Sequence, residues 1–353
     1  MLSGNNGVLQ RATDAKTKSD EAQIKERIQL AYHSALTGGK GSYTKDSLME
    51  ELKNEFTTDY DVDDSDDENW KMKAQGQEVI IPAGKKENVK TAKFSDDLMA
   101  KTHSIPSFAT ITKFERLNNE LDEQYKIESN IVSAGDSETE IYMWSENNIL
   151  YWYSEASNPK LPPNCASLFG GYNSLLNASG LENFDTSEVT NMSNMFGGCY
   201  KLQNINLKNW NTCNVTNMSN MFNGCFELQS VDLTTWNTDK VENMSRMFWC
   251  CYGLVNLDLS SFNTKSVTNM SGMFGLAEER GSAGIPSNVE PHIKTIMVSN
   301  TFDISNVNNS ANMFKECTTI IGGNGTTYDS TKVDKTYAHI DGGASNPGYF
   351  TAK

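Results

Sequence analysis

Val189, Val215, Val241 and Val267 stand 26 residues apart. The same step aligns Asn191, Asn217, Asn243 and Asn269, then Met192, Met218, Met244 and Met270, then Phe196, Phe222, Phe248 and Phe274. A chain that repeats itself at such a period has few folds open to it. Each unit buries its apolar face only against its neighbours, so the units stack as a solenoid or array. Spacing within a row then assigns local structure. Leu202, Ile205 and Leu207 follow LxxLxL, as do Leu228, Val231 and Leu233 and also Leu254, Leu257 and Leu259. That is the strand-bearing part of a leucine-rich repeat. Val215, Met218, Met221, Phe222 and Cys225 lie at intervals of three, three, one and three, which places them on one side of a helical turn. Asp185-Thr186, Asn211-Thr212, Asn237-Thr238 and Asn263-Thr264 stand just before this coil, where short side-chain oxygens cap the first free amides.

Stacked strands about 4.7 to 4.9 Å apart form a continuous parallel sheet whose terminal rows need covers. Degenerate rows flank the array: Ser167, Leu168, Phe169, Leu181 and Phe184 before it, and Val307, Met313, Phe314 and Cys317 after it. The latter recover the pattern 40 residues beyond Val267, so the fourteen extra residues form a loop over Ala277 to Glu290. Cys199, Cys225, Cys251 and Cys317 recur at one repeat position and read as small buried thiols rather than disulfides. The Asn column reads as a ladder to backbone groups between rows.

Charge and motifs narrow the function. The chain has 30 basic and 45 acidic side chains, a net charge of -15, which repels phosphate backbones and anionic membrane surfaces. Nucleic acid is therefore not an expected partner. No run of 18 apolar residues and no signal-peptide pattern occurs. There is no phosphate-binding loop, GxSxG or HExxH, and His33, His103, His292 and His339 are scattered. The acidic run Asp59, Asp61, Asp63, Asp64, Asp66, Asp67 and Glu68 fails as a calcium loop, because Asp64 falls where the turn glycine belongs and Trp70 where the bidentate glutamate belongs. No catalytic residue, metal site or cofactor is expected, and the chain is read as a non-enzyme. In the N-terminal part, Ile24, Ile28, Ala31 and Ala35 share a helical face, Thr44 caps a second helix to Phe56, and a strand pair around Trp70 to Ile81 completes a small helix-plus-sheet unit.

The string NTCNVTNMSNMFNGC at Asn211 to Cys225, followed by LQSVDLTTW at Leu228 to Trp236, resembles the BspA-like leucine-rich repeat surface proteins of bacteria. The resemblance extends over about residues 141 to 350. It takes in the lead-in IYMWSENNILYWY at Ile141 to Tyr153 and a closing segment with GGNGTTYD, DKTYAHIDGG and NPGYF. It implies a bacterial cell-surface or extracellular location and adhesion to host matrix proteins or other bacteria. Leu2 to Leu9, LSGNNGVL, with the polar helix that follows, resembles the region after the membrane helix in Gram-positive pilin-like proteins. That likeness implies a membrane link only through an anchor missing from this chain.

The expected fold is thus α+β: a pilin-like unit (1–85), a connecting region without a recognisable pattern (86–140), a hairpin and N-terminal cap (141–184), leucine-rich-type repeats (185–320) with an insertion near 277–290, and a closing segment (321–353). Since the LxxLxL leucines point inward, three columns face out: Asn204, Ser230 and Asn256; Asn206, Asp232 and Asp258; Lys208, Thr234 and Ser260. These nine residues are the candidate ligand-binding face of an adhesin or interaction module that takes an extracellular protein or glycan. The insertion and the aromatic hairpin Trp144 to Tyr153 are rival contact sites. Exposed aromatics there favour a groove, buried ones a cap. Two other readings remain: a pilin-like subunit displaying the solenoid on a filament or membrane, and a carbohydrate-active enzyme using Asp232 and Asp258.

Overall fold

The computed structural model describes residues 21–29, 31–32, 45–56, 58–63, 65, 69–82, 91–105, 108–277 and 293–353. They form a mixed α+β protein with few helices and several short sheets. Contacts divide the chain into two compact units, Met1–Val89 and Lys90–Lys353. Residues 2–20, the cap Thr44, Asp64, Asp66, Asp67, Glu68 and all but Ala277 of the expected insertion lie outside the described residues.

The first unit has helical backbone at 21–29, the helix Lys45–Glu55 and an antiparallel sheet of β1 (Tyr60–Asp63), β2 (Asn69–Ala74) and β3 (Gln77–Pro82), in that order. Trp70, Met72 and Ala74 alternate into a core with Ile28, Leu48, Leu52, Phe56 and Val62. Ala74 pairs with Gln77 across a two-residue turn, Gln75 and Gly76, both at positive φ (48° and 76°). Such a turn matches the twist of its flanking strands. The expected strand pair is therefore a three-stranded sheet. Its extra strand β1 arises inside the acidic run, where Val62 is buried and Asp63 accepts from Ser65 and from Lys73 Nζ at 3.2 Å.

In the second unit, β4 (Lys113–Arg116), β5 (Ile141–Glu146), β6 (Ile149–Ser154), β7 (Asn177–Ala178), β8 (Asn204–Ile205) and β9 (Ser230–Val231) make one sheet in the order β5-β6-β4-β7-β8-β9. The hairpin β5-β6 is antiparallel, and every pairing from β6 to β9 is parallel. A second parallel sheet holds β10 (Asn256–Asp258), β11 (Thr295–Val298) and β12 (Phe350–Ala352). The single continuous sheet expected from the repeat is thus two sheets, since strands of two or three residues offer few pairs. What runs through every row is the opposite side, where bridges join Asn164, Asn191, Asn217, Asn243, Asn269 and Asn309 in sequence.

That side is not the helical coil that the apolar spacing suggests. Asn220 and Gly224 sit at positive φ (57° and 77°), as do Asn194, Gly198, Arg246 and Cys250 at the matching positions. These residues break the i→i−4 pattern. Amides instead alternate: Met221 donates to Met218 O and Asn223 to Asn220 O within the row, while Met218, Asn220, Phe222 and Gly224 donate to Asn243, Ser245, Met247 and Trp249 of the next row. A run of turns still places Val215, Met218, Met221, Phe222 and Cys225 on one side, all fully buried. The helical spacing was a property of burial, not of helix.

The polar columns divide their work differently from expectation. Oδ1 of Asn191, Asn217, Asn243 and Asn269 accepts from the amide two residues on in its own row, a turn that Asn favours. The link between rows falls to the buried threonines. Thr212 Oγ1 donates to Asn237 O at 2.8 Å and accepts from Asn237 N at 2.9 Å, and Thr186 and Thr238 do the same one row away. Asp185, Asn211, Asn237 and Asn263 act as caps, accepting from the amide two residues on.

Rings of Phe169, Phe196, Phe222, Phe248, Phe274 and Phe314 stack along the core with centroids 5.5 to 6.2 Å apart. The pair Phe274–Phe314 carries the stack across the insertion. Both ends are covered. The helix Leu98–Ser104 seats Thr102 Oγ1 on Leu168 O and His103 Nε2 against Gly170 O. At the other end Tyr349 and Phe350 pack edge-on against Phe314, and Val333 O accepts from Phe314 N.

Candidate functional site

Because paired residues in a sheet project to the same side, the register places Lys113, Asn177, Asn204 and Ser230 in one line. Phe114, Ala178, Ile205 and Val231 point to the core side of the same strands. All members of the candidate face are at the surface: Asn204, Asn206, Lys208, Ser230, Asp232, Thr234 and Asn256 are exposed, Asp258 and Ser260 half-buried. An open depression of 580 Å³ brings Asn204, Asn206, Ser230 and Asp232 together with Asn177, Ser179 and Glu182, above the half-buried Ile205 and Val231. Lys208, Thr234, Asn256, Asp258 and Ser260 lie outside it.

Asn177, Ser179 and Glu182 were missed because the first row is longer by one residue. Asn164 pairs with Asn191 and Asn177 with Asn204, each 27 positions on, whereas Leu181 precedes Leu207 by 26. The extra residue falls at Gly180. Its φ is 88°, and a Cβ at this position would stand 2.9 Å from Arg116 Cβ, so only glycine fits. A comparison at a step of 27, which aligns Phe169 with Phe196 and Leu175 with Leu202, finds this row.

The face columns differ in their chemistry. Asn206, Asp232 and Asp258 each spend one side-chain oxygen on the amide two residues on, shaping the strand exits. Among the described residues, the side chains of Asn177, Asn204, Ser230 and Asn256 have no hydrogen-bond partner, in contrast to the Asn residues of the turn side. Asp232 is held below the usual carboxylate range by the hydroxyl and amide of Thr234. Burial raises the Asp258 carboxyl, but Lys353 and Ser260 outweigh it and lower the net value; Asp258 is also ion-paired with Lys353. Neither carboxyl is kept protonated, the state that a general acid for glycoside cleavage requires.

The aromatic hairpin divides between cap and surface. Trp152 lies in the core, and Tyr142 and Trp144 are buried beneath Leu121 with Leu117, Tyr125 and Ile131. Tyr151 and Tyr153 remain half-exposed. All seven cysteines are free, and only Cys213 is not buried. The repeat thiols donate to phenylalanine carbonyls one row back, Cys225 Sγ to Phe196 O at 3.2 Å, and burial raises their pKa, that of Cys199 to about 12.

No helix among the described residues is long and apolar enough to cross a membrane. Residues 163–285 match a family described as "Mycoplasma protein of unknown function, DUF285". No curated protein and no solved structure matches the chain.

Proposed function

We propose that this chain is a non-enzymatic bacterial cell-surface or secreted binding protein. On this reading, its second unit is a leucine-rich-type repeat solenoid that recognises an extracellular protein or glycan through its outward sheet face, without a cofactor. One observation carries the reading: a column of amide and hydroxyl side chains without protein partners, Asn177, Asn204 and Ser230, lines an open depression on one side of the sheet. Ordered polar groups without internal partners suit recognition, because they leave water for a ligand without moving. The match of residues 163–285 to a repeat family associated with surface proteins supports the location. Surface capture of purified matrix proteins and glycans tests it. Saturable binding that Ser230→Arg abolishes without changing the melting temperature is expected; binding unaffected by Ser230→Arg sinks this face as the site.

A second reading, a pilin-like subunit that displays the solenoid on a filament or membrane, draws on the separate helix-and-sheet core of the first unit. Gene sequence upstream of Met1 checks it, since an anchor needs about 20 apolar residues.

A further inference from the structure

We infer that the binding face reaches beyond the repeat rows to the aromatic hairpin, and that its ligand is a neutral, linear oligosaccharide lying across the strands; this rests on the proposed binding role. The register makes the two rival contact sites one surface. Tyr151 pairs with Trp144 on one side and with Glu115 on the other, and Lys113, two residues from Glu115 on the same face, pairs with Asn177. One side of a single sheet therefore carries Trp144, Tyr151, Glu115 and Lys113, and then the polar line Asn177, Asn204 and Ser230.

The aromatic end is a built platform. Tyr125, Trp144 and Tyr151 form a three-ring stack, with centroids 4.8 and 5.5 Å apart and rings inclined by 22° at each step. Tyr151 ends the stack and is its half-exposed member on β6. Trp144 and Tyr151 are cross-strand neighbours on β5 and β6, and β4 sets Glu115 beside Tyr151 on the way to the polar line. At about 4.8 Å per strand, Tyr151 and Asn204 lie on the order of 15 Å apart, a span that suits several linked sugar rings rather than one small molecule.

Charge selects the ligand class. Although the chain carries a net charge of -15, the face mixes its charges: Lys113 is ion-paired with Glu115 at 3.6 Å, Lys208 stands near enough to Asp232 to help lower its carboxyl, and Glu182 accepts from Gly180 N. Such a surface exerts little pull on a polyanion or polycation. What it offers is planar amides, a hydroxyl and one half-exposed aromatic ring, the groups that take sugar hydroxyls by hydrogen bond and the apolar face of a pyranose by stacking.

Calorimetric titration of the full chain with soluble linear β-1,4-glucan, α-1,4-glucan and N-acetylglucosamine oligomers, at low and high salt, tests this. At least one series binds, with affinity independent of salt because no charges are screened. Tyr151→Ala weakens it about tenfold, Asn204→Arg removes it with an unchanged melting temperature, and Lys240→Ala, which alters a bond to Asn214, leaves it intact. If no oligomer binds but a matrix protein does and Asn204→Arg blocks it, the sugar assignment falls and the binding role stands. If neither class binds the folded chain, both fall. Sugar binding that survives both Tyr151→Ala and Asn204→Arg overturns the composite face.

Discussion

At the scale of single residues, the polar side chains of this protein are sorted by what they spend their hydrogen bonds on. Thr212 spends both bonding directions on Asn237 of the next row while fully buried. Thr212→Val keeps the shape and strands a carbonyl and an amide, so it costs about 1 to 3 kcal/mol in urea unfolding, whereas Thr212→Ser costs less. A valine variant as stable as wild type refutes the inter-row role. Asp341, 2% exposed, accepts from Thr326 N and Oγ1, Gly343 N and Asn324 N at 2.7 to 3.0 Å. Burial alone raises its carboxyl, yet these donors hold it well below the usual carboxylate range. A lowered folded value means that the unfolded chain binds the proton more tightly, so stability from Asp341 is full above the unfolded value of about 3.9 and is lost as pH falls toward the folded one. The melting-temperature gap between wild type and Asp341→Asn is expected to be constant at neutral pH and to narrow below about pH 4; a gap that widens there contradicts the assignment.

At the scale of elements, the row is held by its neighbours on both sides. Phe222 stacks between Phe196 and Phe248 at 5.8 Å each, so Phe222→Ala removes two ring contacts and opens a cavity within the stack. A loss of about 3 to 5 kcal/mol is expected, read by denaturant unfolding; a loss below about 1 kcal/mol means that the site collapses freely. The cysteine column follows the same logic. With their pKa values raised by burial and their Sγ atoms bonded to carbonyls, thiolate is scarce and unreachable. Iodoacetamide should label Cys213 alone among the seven cysteines of the native chain, and all of them after denaturation. Rapid native labelling of Cys225 or Cys251 contradicts the packing.

At the scale of the molecule, the Met1–Val89 and Lys90–Lys353 units have separate apolar cores, so heating should give two calorimetric transitions, with Phe222→Ala lowering one and leaving the other in place. A single shared transition that moves as a whole counts against independent cores. The repeat arithmetic was enough to name the buried residues Val215, Met218, Met221 and Phe222 and the exposed columns at Asn204, Ser230 and Asn256, because burial recurs with the row and needs no knowledge of backbone conformation. It could not tell turns from helix, since both put residues three and four apart on one side, and positive φ at Asn220 or Arg246 leaves no apolar signature. Nor could local sequence reveal that β4 slots between the hairpin and the rows and joins Tyr151 to Asn177 through Lys113 and Glu115. Strand order is decided by contacts between distant segments, and only the folded chain brings those together.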